Sequence, residues 1–138
     1  MEKDRAIRDL LIRQLNQELL VATQAAYFSG IIKTSSLKEQ FLKLAHDELG
    51  HFAKVANILA EMGHAADLKP VEIELEKDEL KALIILSAME DTIIHLYGDI
   101  LSDLEEPFKS TIGDQIQEEI NHKNQMEHLL EEAKMDRR

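Results

Sequence analysis

Apolar residues recur at steps of three and four along four segments of the chain, the spacing of one face of an α-helix. The segments span about 4–33, 36–62, 78–107, and 110 onward into the charged tail "KMDRR". Their inward stripes are predicted to contain Ile7, Leu11, Leu15, Ala22, Ala25 and Ser29; Leu37, Phe41, Leu44, Val55, Ile58 and Met62; Leu83, Ser87, Ile94, Tyr97, Leu101 and Leu104; and Ile112, Gln115, Met126, Leu129 and Ala133. This pattern predicts an all-α chain of four long helices.

The links between the segments predict how the helices are connected. The links at 34–36, where Ser36 is the predicted N-cap, and at 106–109 are short enough only for antiparallel hairpins. The link at 64–77 follows the helix-ending Gly63, and an extended strand of its length just spans a helix of about 40 Å. We predict one domain over 1–138, a four-helix bundle of two antiparallel hairpins joined by one long crossover.

Composition excludes several classes of partner and chemistry. Sixteen Lys and Arg stand against 27 Asp and Glu, a net charge of −11, which disfavours nucleic acid and anionic membranes as partners. There is no Cys, which excludes disulfides, thiolate metal sites and cysteine catalysis. The charged start "MEKDRAIRDL" is not a signal peptide, and no apolar run reaches membrane length. The expected location is the cytoplasm.

An ionisable residue interrupts each stripe near its middle. The six are Glu18, Glu48, His51, Glu90, Glu119 and His122. The halves of the chain repeat them, since the first and third helices place their Glu 72 residues apart, and the second and fourth place their Glu-x-x-His pairs 71 apart. Each lies at a similar distance from a short turn, so all six are predicted to meet at one level of the bundle.

Four carboxylates cannot all stay ionised in an apolar interior without compensation. Two divalent cations supply four positive charges, and oxygen-rich ligation with two imidazoles suits iron or manganese better than structural zinc. A Glu from each of two helices and Glu-x-x-His from each of the others is the pattern known for ferritin-like di-iron proteins.

Over its whole length the chain resembles the ferritin-like superfamily, and within it bacterioferritins and the helical domain of rubrerythrins. The resemblance rests on "LNQELLVATQ" (15–24), "HDELGH" (46–51), "SAMEDTI" (87–93) and "EEINHKNQMEHL" (118–129). It implies Glu18 and Glu90 as terminal ligands, Glu48 and Glu119 as bridging ligands, and His51 and His122 each on one metal. It also implies oxidation of Fe(II) by dioxygen or hydrogen peroxide.

Three departures from the family narrow this expectation. Leu49 stands where bacterioferritins place a haem-ligating Met, so no haem is expected. Ile93 stands where rubrerythrins add a further Glu, which argues against a peroxidase of their type. The chain also ends soon after the fourth helix, without the short fifth helix of large ferritin cages, which favours a homodimer.

Other polar and aromatic residues have simpler interpretations. The third Glu-x-x-His pair, Glu61 and His64, is rejected because Gly63 ends the helix there. The remaining residues considered are predicted to lie on the surface: Asp47, Glu118, His46, His95 and His128. For Asp47, next to a predicted ligand, the alternatives are a carboxylate that supports a ligand or one that admits ions.

A few residues near the six carry open interpretations. Tyr97 is interpreted as a packed core tyrosine rather than a redox-active phenol, and Tyr27 and Phe28 as residues of a dimer interface. Gly50 is predicted to permit close approach of a neighbouring helix or subunit.

The leading hypothesis is a non-haem di-iron, or di-manganese, oxidoreductase of the ferroxidase or peroxidase type, in which the same six residues are catalytic. The alternatives are a small ferritin-type storage subunit that oxidises iron to sequester it, and a metal-free helical interaction module. The electron donor is not identified by the sequence.

Overall fold

A computed structural model describes residues 2–136 and confirms the all-α prediction. Its helices are α1 (Glu2–Ile31), α2 (Ser35–Glu61), α3 (Glu79–Leu101) and α4 (Phe108–Asp136). The last two residues of the charged tail, 137 and 138, lie outside the described residues. None of the four helices is long and apolar enough to cross a membrane.

The helices pair as the link lengths predict. The short links 32–34 and 102–107 place α1 along α2 and α3 along α4, while α1 also packs on α3. The link 62–78 forms no regular secondary structure and lets α3 run parallel to α2. The α2 and α4 helices also contact each other, but less extensively than these three pairs. The fold is therefore two antiparallel hairpins joined by one crossover.

Side chains of α1 fix the crossover to the bundle. Gln24, fully buried, donates from Nε2 to the carbonyl oxygen of Glu74 at 2.9 Å and accepts from the amide of Glu74 at 2.6 Å. Asn16 likewise donates to the carbonyl of Asp67 and accepts from the amide of Lys69. These bonds satisfy backbone groups of a segment that has no regular structure of its own.

The hydrophobic core is divided into two clusters. One contains Leu11, Val55 and Ile100 and joins the start of α1 and α4 to the ends of α2 and α3. The other contains Phe28, Phe41 and Leu86 and lies towards the opposite end of the bundle. The level between them is where the six ionisable residues lie.

Some predicted helix ends are wrong by a few residues. The N-cap of α2 is Thr34 rather than Ser36, and its hydroxyl donates to Glu79 Oε1 at 2.6 Å instead of capping its own helix. The α3 helix ends at Leu101, well before Pro107, because residues 102–104 turn back with amides bonded to the carbonyls of Ile100 and Leu101.

The inward stripes of α1 and α3 are rotated slightly from their predicted phase. Ser29, Ser87 and Ile94 are only half-buried, and the residues that fill the core beside them are Phe28, Ile32, Leu86 and Ile93. The α3 sequence is apolar on nearly every side, so its spacing alone did not distinguish neighbouring phases.

Two further expectations are wrong. Phe28 is fully buried, with its ring centroid 6.2 Å from that of Phe41, because it fills the core between α1 and α2; it is not available to an interface. Gly50 is exposed, and a Cβ there would meet nothing within 4 Å in the described chain, so the expected approach of a neighbouring helix of this chain is wrong, while approach of a neighbouring subunit stays a prediction.

Candidate metal centre

The structure brings all six predicted residues together at the middle of the bundle. Glu18 comes from α1 and Glu90 from α3, while α2 and α4 each contribute a Glu-x-x-His pair. The four carboxylates are 0% exposed, His51 is 2% exposed and His122 is 8% exposed. The helical spacing places Glu and His of each pair on one face, one turn apart.

Their ligand atoms form two overlapping groups. Glu18, Glu48, His51 and Glu119 make one group, and Glu48, Glu90, Glu119 and His122 make the other. Within each group one ligand atom per residue lies within 4.8 Å of the others. Glu48 and Glu119 belong to both groups, so the two share a pair of carboxylates and differ in their third carboxylate and their imidazole.

Most of the inward-facing atoms have no hydrogen-bond partner among the described residues. They are Glu18 Oε2, both oxygens of Glu48, Glu90 and Glu119, and Nδ1 of His51 and of His122. His51 Nδ1 lies 2.7 Å from Glu119 Oε1, yet the contact lacks hydrogen-bond geometry. Unsatisfied buried polar atoms each cost about 1–3 kcal/mol, and converging lone pairs of oxygen and imidazole nitrogen are what a hard or borderline cation needs. The donor set fits two such cations.

The electrostatics of the centre show the same need for positive charge. Burial, reinforced by neighbouring carboxylates, raises the pKa of Glu48 and of Glu90 well above the ordinary value, and burial also raises the pKa of Glu18. For His51, burial opposes protonation, but Glu119 and Glu18 outweigh it and raise the pKa to about 9. Burial works against ionisation of Glu119 too, but its contacts with His122 and His51 lower its pKa. In the protein alone, protonated histidines supply part of the positive charge, and protonated carboxyl groups remove part of the negative charge.

Two carboxylates that were predicted to lie on the surface contact the outer nitrogens of the histidines. Glu118 Oε2 lies 2.5 Å from His51 Nε2, and Asp47 Oδ2 lies 3.0 Å from His122 Nε2. Each directly precedes the Glu of one Glu-x-x-His pair and contacts the His of the other. The Glu118 side chain is 51% exposed and that of Asp47 35% exposed, so both reach the surface as predicted. The prediction missed their contacts with the histidines. Such contacts fix the tautomer that leaves Nδ1 free to bind a metal.

Among the described residues, a buried hydrogen-bond network contacts Glu18 and none of the other carboxylates of the centre. Tyr97 donates its hydroxyl to Glu18 Oε1 at 2.6 Å, and Gln14 Nε2 donates to the same oxygen at 3.1 Å. Gln115 Nε2 donates to the Tyr97 hydroxyl at 2.9 Å. Gln14 was not predicted to matter, although an amide four residues before a buried Glu on the same helix face was a signal for this contact.

The other histidines and the third Glu-x-x-His pair lie elsewhere. His46, His95 and His128 are exposed, as predicted. Glu61 is exposed and accepts from Asn57, and His64 lies beyond the end of α2. The alternative ligands considered from the sequence are therefore outside the centre.

Comparison with known proteins agrees with this architecture. The family model described as a ferritin-like domain matches residues 6–135. The chain therefore belongs to the ferritin-like domain family, the class of protein that its bundle and its cluster of carboxylates and histidines already indicate. No curated protein sequence matches it.

Solved structures of similar fold include bacterial and archaeal proteins. A ferritin-like di-iron-carboxylate protein from Bacillus anthracis has a TM-score of 0.86 and 18% identity, over 94% of this chain and 99% of that one. The bacterioferritin-related dodecameric thioferritin of Bacteroides fragilis has a TM-score of 0.84 and 18% identity, over 97% and 90%. An open-pore ferritin from Archaeoglobus fulgidus has a TM-score of 0.82 and 16% identity, over 94% and 85%. At these identities the likeness establishes the fold.

Proposed function

We propose that this protein binds two iron ions, or two manganese ions, at mid-bundle and reacts Fe(II) with dioxygen or hydrogen peroxide. The observation that carries the proposal is the pair of overlapping ligand groups, whose inward atoms are buried and lack hydrogen-bond partners in the described structure. A purely structural polar cluster would satisfy its own donors and acceptors, because leaving them unpaired destabilises the fold.

The six residues would have different roles in binding the two ions. His51 and Glu18 would hold one ion, His122 and Glu90 the other, and Glu48 and Glu119 both. Bound Fe(II) would supply the electrons for reducing the oxidant. The apolar clusters on either side of the centre would keep water away from it. Asp47 and Glu118 would orient the two imidazole rings through contacts with their outer nitrogens.

Anaerobic titration with Fe(II), followed by separate mixing with dioxygen and with hydrogen peroxide, tests the proposal. We expect about two Fe(II) per chain and rapid oxidation by at least one oxidant. Glu48→Gln changes a shared ligand and should reduce the stoichiometry below two, whereas Glu61→Gln changes an exposed Glu with the same Glu-x-x-His spacing and should not. Wild-type protein that takes up no Fe(II) would support the metal-free helical module instead.

A storage role is the second candidate, because the structures of similar fold include a dodecameric thioferritin and an open-pore ferritin. Both roles use the same centre, and assembly size separates them. We propose a cytoplasmic homodimer that acts as an oxidoreductase, with an electron donor still to be identified. Light scattering after gel filtration should then give a mass near twice 15.8 kDa. A shell of twelve or more chains would favour storage.

A further inference from the structure

The two halves of the centre have different surroundings, although their six main residues repeat along the chain. On the Glu18 side, the hydroxyl of Tyr97 and the amide of Gln14 both donate to Oε1, while Oε2 is left without a partner. On the Glu90 side, neither carboxylate oxygen has a hydrogen-bond partner among the described residues. One terminal carboxylate is therefore anchored and the other is not.

The repeat itself shows where the symmetry is lost. A shift of 72 residues relates Glu18 to Glu90, and the same shift relates Gln14 to Leu86 and Ala25 to Tyr97. A shift of 71 residues relates Leu44 to Gln115 on the other two helices. Every member of the network around Glu18 thus has an aliphatic counterpart in the repeat, and all three counterparts are buried in the same apolar cluster: Ala25, Leu44 and Leu86.

The network around Glu18 is also buried and bonded to the backbone of a second helix. Gln14 and Gln115 are fully buried, as is Tyr97. Gln115 Nε2 donates both to the Tyr97 hydroxyl and, at 3.2 Å, to the carbonyl oxygen of His51. The hydroxyl is therefore tied to the backbone of α2, and through it Glu18 is tied to the helix that contributes His51.

We propose that the two ion positions are inequivalent: Tyr97, with Gln14 and Gln115, restricts Glu18 to binding through Oε2, while Glu90 is free to bind through both oxygens. This inference rests on the proposed di-metal function. Tyr97 is a positioning residue here, acting through Glu18. The ion beside His51 is then held in a pre-organised site, and the ion beside His122 in a site whose terminal carboxylate can change its binding mode.

Calorimetric titration of the metal-free protein with Mn(II), which does not turn over, tests the inference. Wild-type protein should bind two ions in two resolved steps. Tyr97→Phe removes only the hydroxyl and should weaken one step about tenfold, the usual effect of losing a partner behind a metal ligand, while leaving the other within about twofold. Gln14→Leu keeps the side-chain volume and should weaken the same step. Tyr27→Phe, the other tyrosine of the chain, should change neither.

The outcomes separate the inference from the function on which it rests. Two equal steps in the wild-type protein, or equal weakening of both steps in Tyr97→Phe, would overturn the inequivalence and leave the di-metal function standing. Fewer than two bound Mn(II) in the wild-type protein would overturn the inference, and the anaerobic Fe(II) titration would then decide the di-metal function separately. A crystal structure with Mn(II) in which Glu18 binds through both oxygens would also overturn the proposed restriction.

Discussion

Glu118 and Asp47 show how exposed residues support a buried centre. Each accepts from, or ion-pairs with, the outer nitrogen of a histidine whose inner nitrogen faces the converging carboxylates. A carboxylate in this position orients the ring and increases the basicity of the nitrogen that binds the metal. Each reaches across from α4 to α2 or from α2 to α4, so these contacts couple two helices that otherwise pack only sparsely against each other.

Removing either carboxylate should lower the metal affinity of one of the two ion positions. We expect Glu118→Ala to reduce the affinity for the ion beside His51 about tenfold, and Asp47→Ala to do the same for the ion beside His122. Calorimetric titration with Mn(II) measures both steps. Glu127→Ala, at a residue of the same helix with a similar exposed fraction (54% against 51%), serves as the control. An equal effect of Glu118→Ala and Glu127→Ala would indicate a general loss of surface charge.

At the scale of elements, the crossover depends on α1 for its conformation. It is mostly exposed, has no regular secondary structure, and is anchored by the side chains of Asn16 and Gln24. Gln24 is the stronger anchor, because it is fully buried and bonds both backbone groups of Glu74. An amide is suited to this task because it both donates and accepts.

Replacing Gln24 should make the crossover more mobile without unfolding the helices. Gln24→Ala removes two partly buried hydrogen bonds to the backbone of Glu74, and at about 1 kcal/mol for each bond we expect a loss of about 2 kcal/mol in unfolding free energy. Limited proteolysis should cut faster between 64 and 78, while helical circular dichroism stays unchanged at low temperature. Gln125→Ala, at an exposed residue of α4, should alter neither measurement. Unchanged proteolysis in Gln24→Ala would mean that other contacts hold the crossover.

At the scale of the whole molecule, the raised pKa values in the centre lead us to expect that the metal-free protein loses stability as pH rises through the neutral range. Glu48 and Glu90 have folded-state pKa values raised well above 4.5, and His51 titrates at about 9 instead of 6.5. The folded protein therefore binds more protons than the unfolded chain across the neutral range. Stability must then fall as pH rises, because each raised group contributes below its unfolded pKa and ceases to contribute above its folded pKa.

The metal-free protein should lose unfolding free energy between pH 6 and pH 9. The His51 contribution alone is on the order of 3 kcal/mol over this range. Urea unfolding in the presence of a chelator measures the profile, which His51→Gln should flatten and His95→Gln, at an exposed histidine, should not. With Mn(II) the slope should reverse, because ions displace the protons. A metal-free profile that rises with pH would contradict these pKa shifts.

The sequence by itself determined the four helices, the hairpin and crossover connections, and the six ionisable residues that meet at one level. These features depend on residue spacing along one helix and on the lengths of the links. Both can be read directly from the sequence. Glu-x-x-His must place its two side chains on one face wherever the helix lies.

Only the tertiary structure decided which side chains meet across helices. The contact of Glu118 with His51, the anchoring of Glu18 by Tyr97 and the burial of Phe28 depend on the rotation of each helix about its axis. Spacing leaves that rotation uncertain where a helix is apolar on most sides, as α3 is. Packing of the whole core sets it, because a shift by one residue turns a helix by about 100° and changes every partner at once.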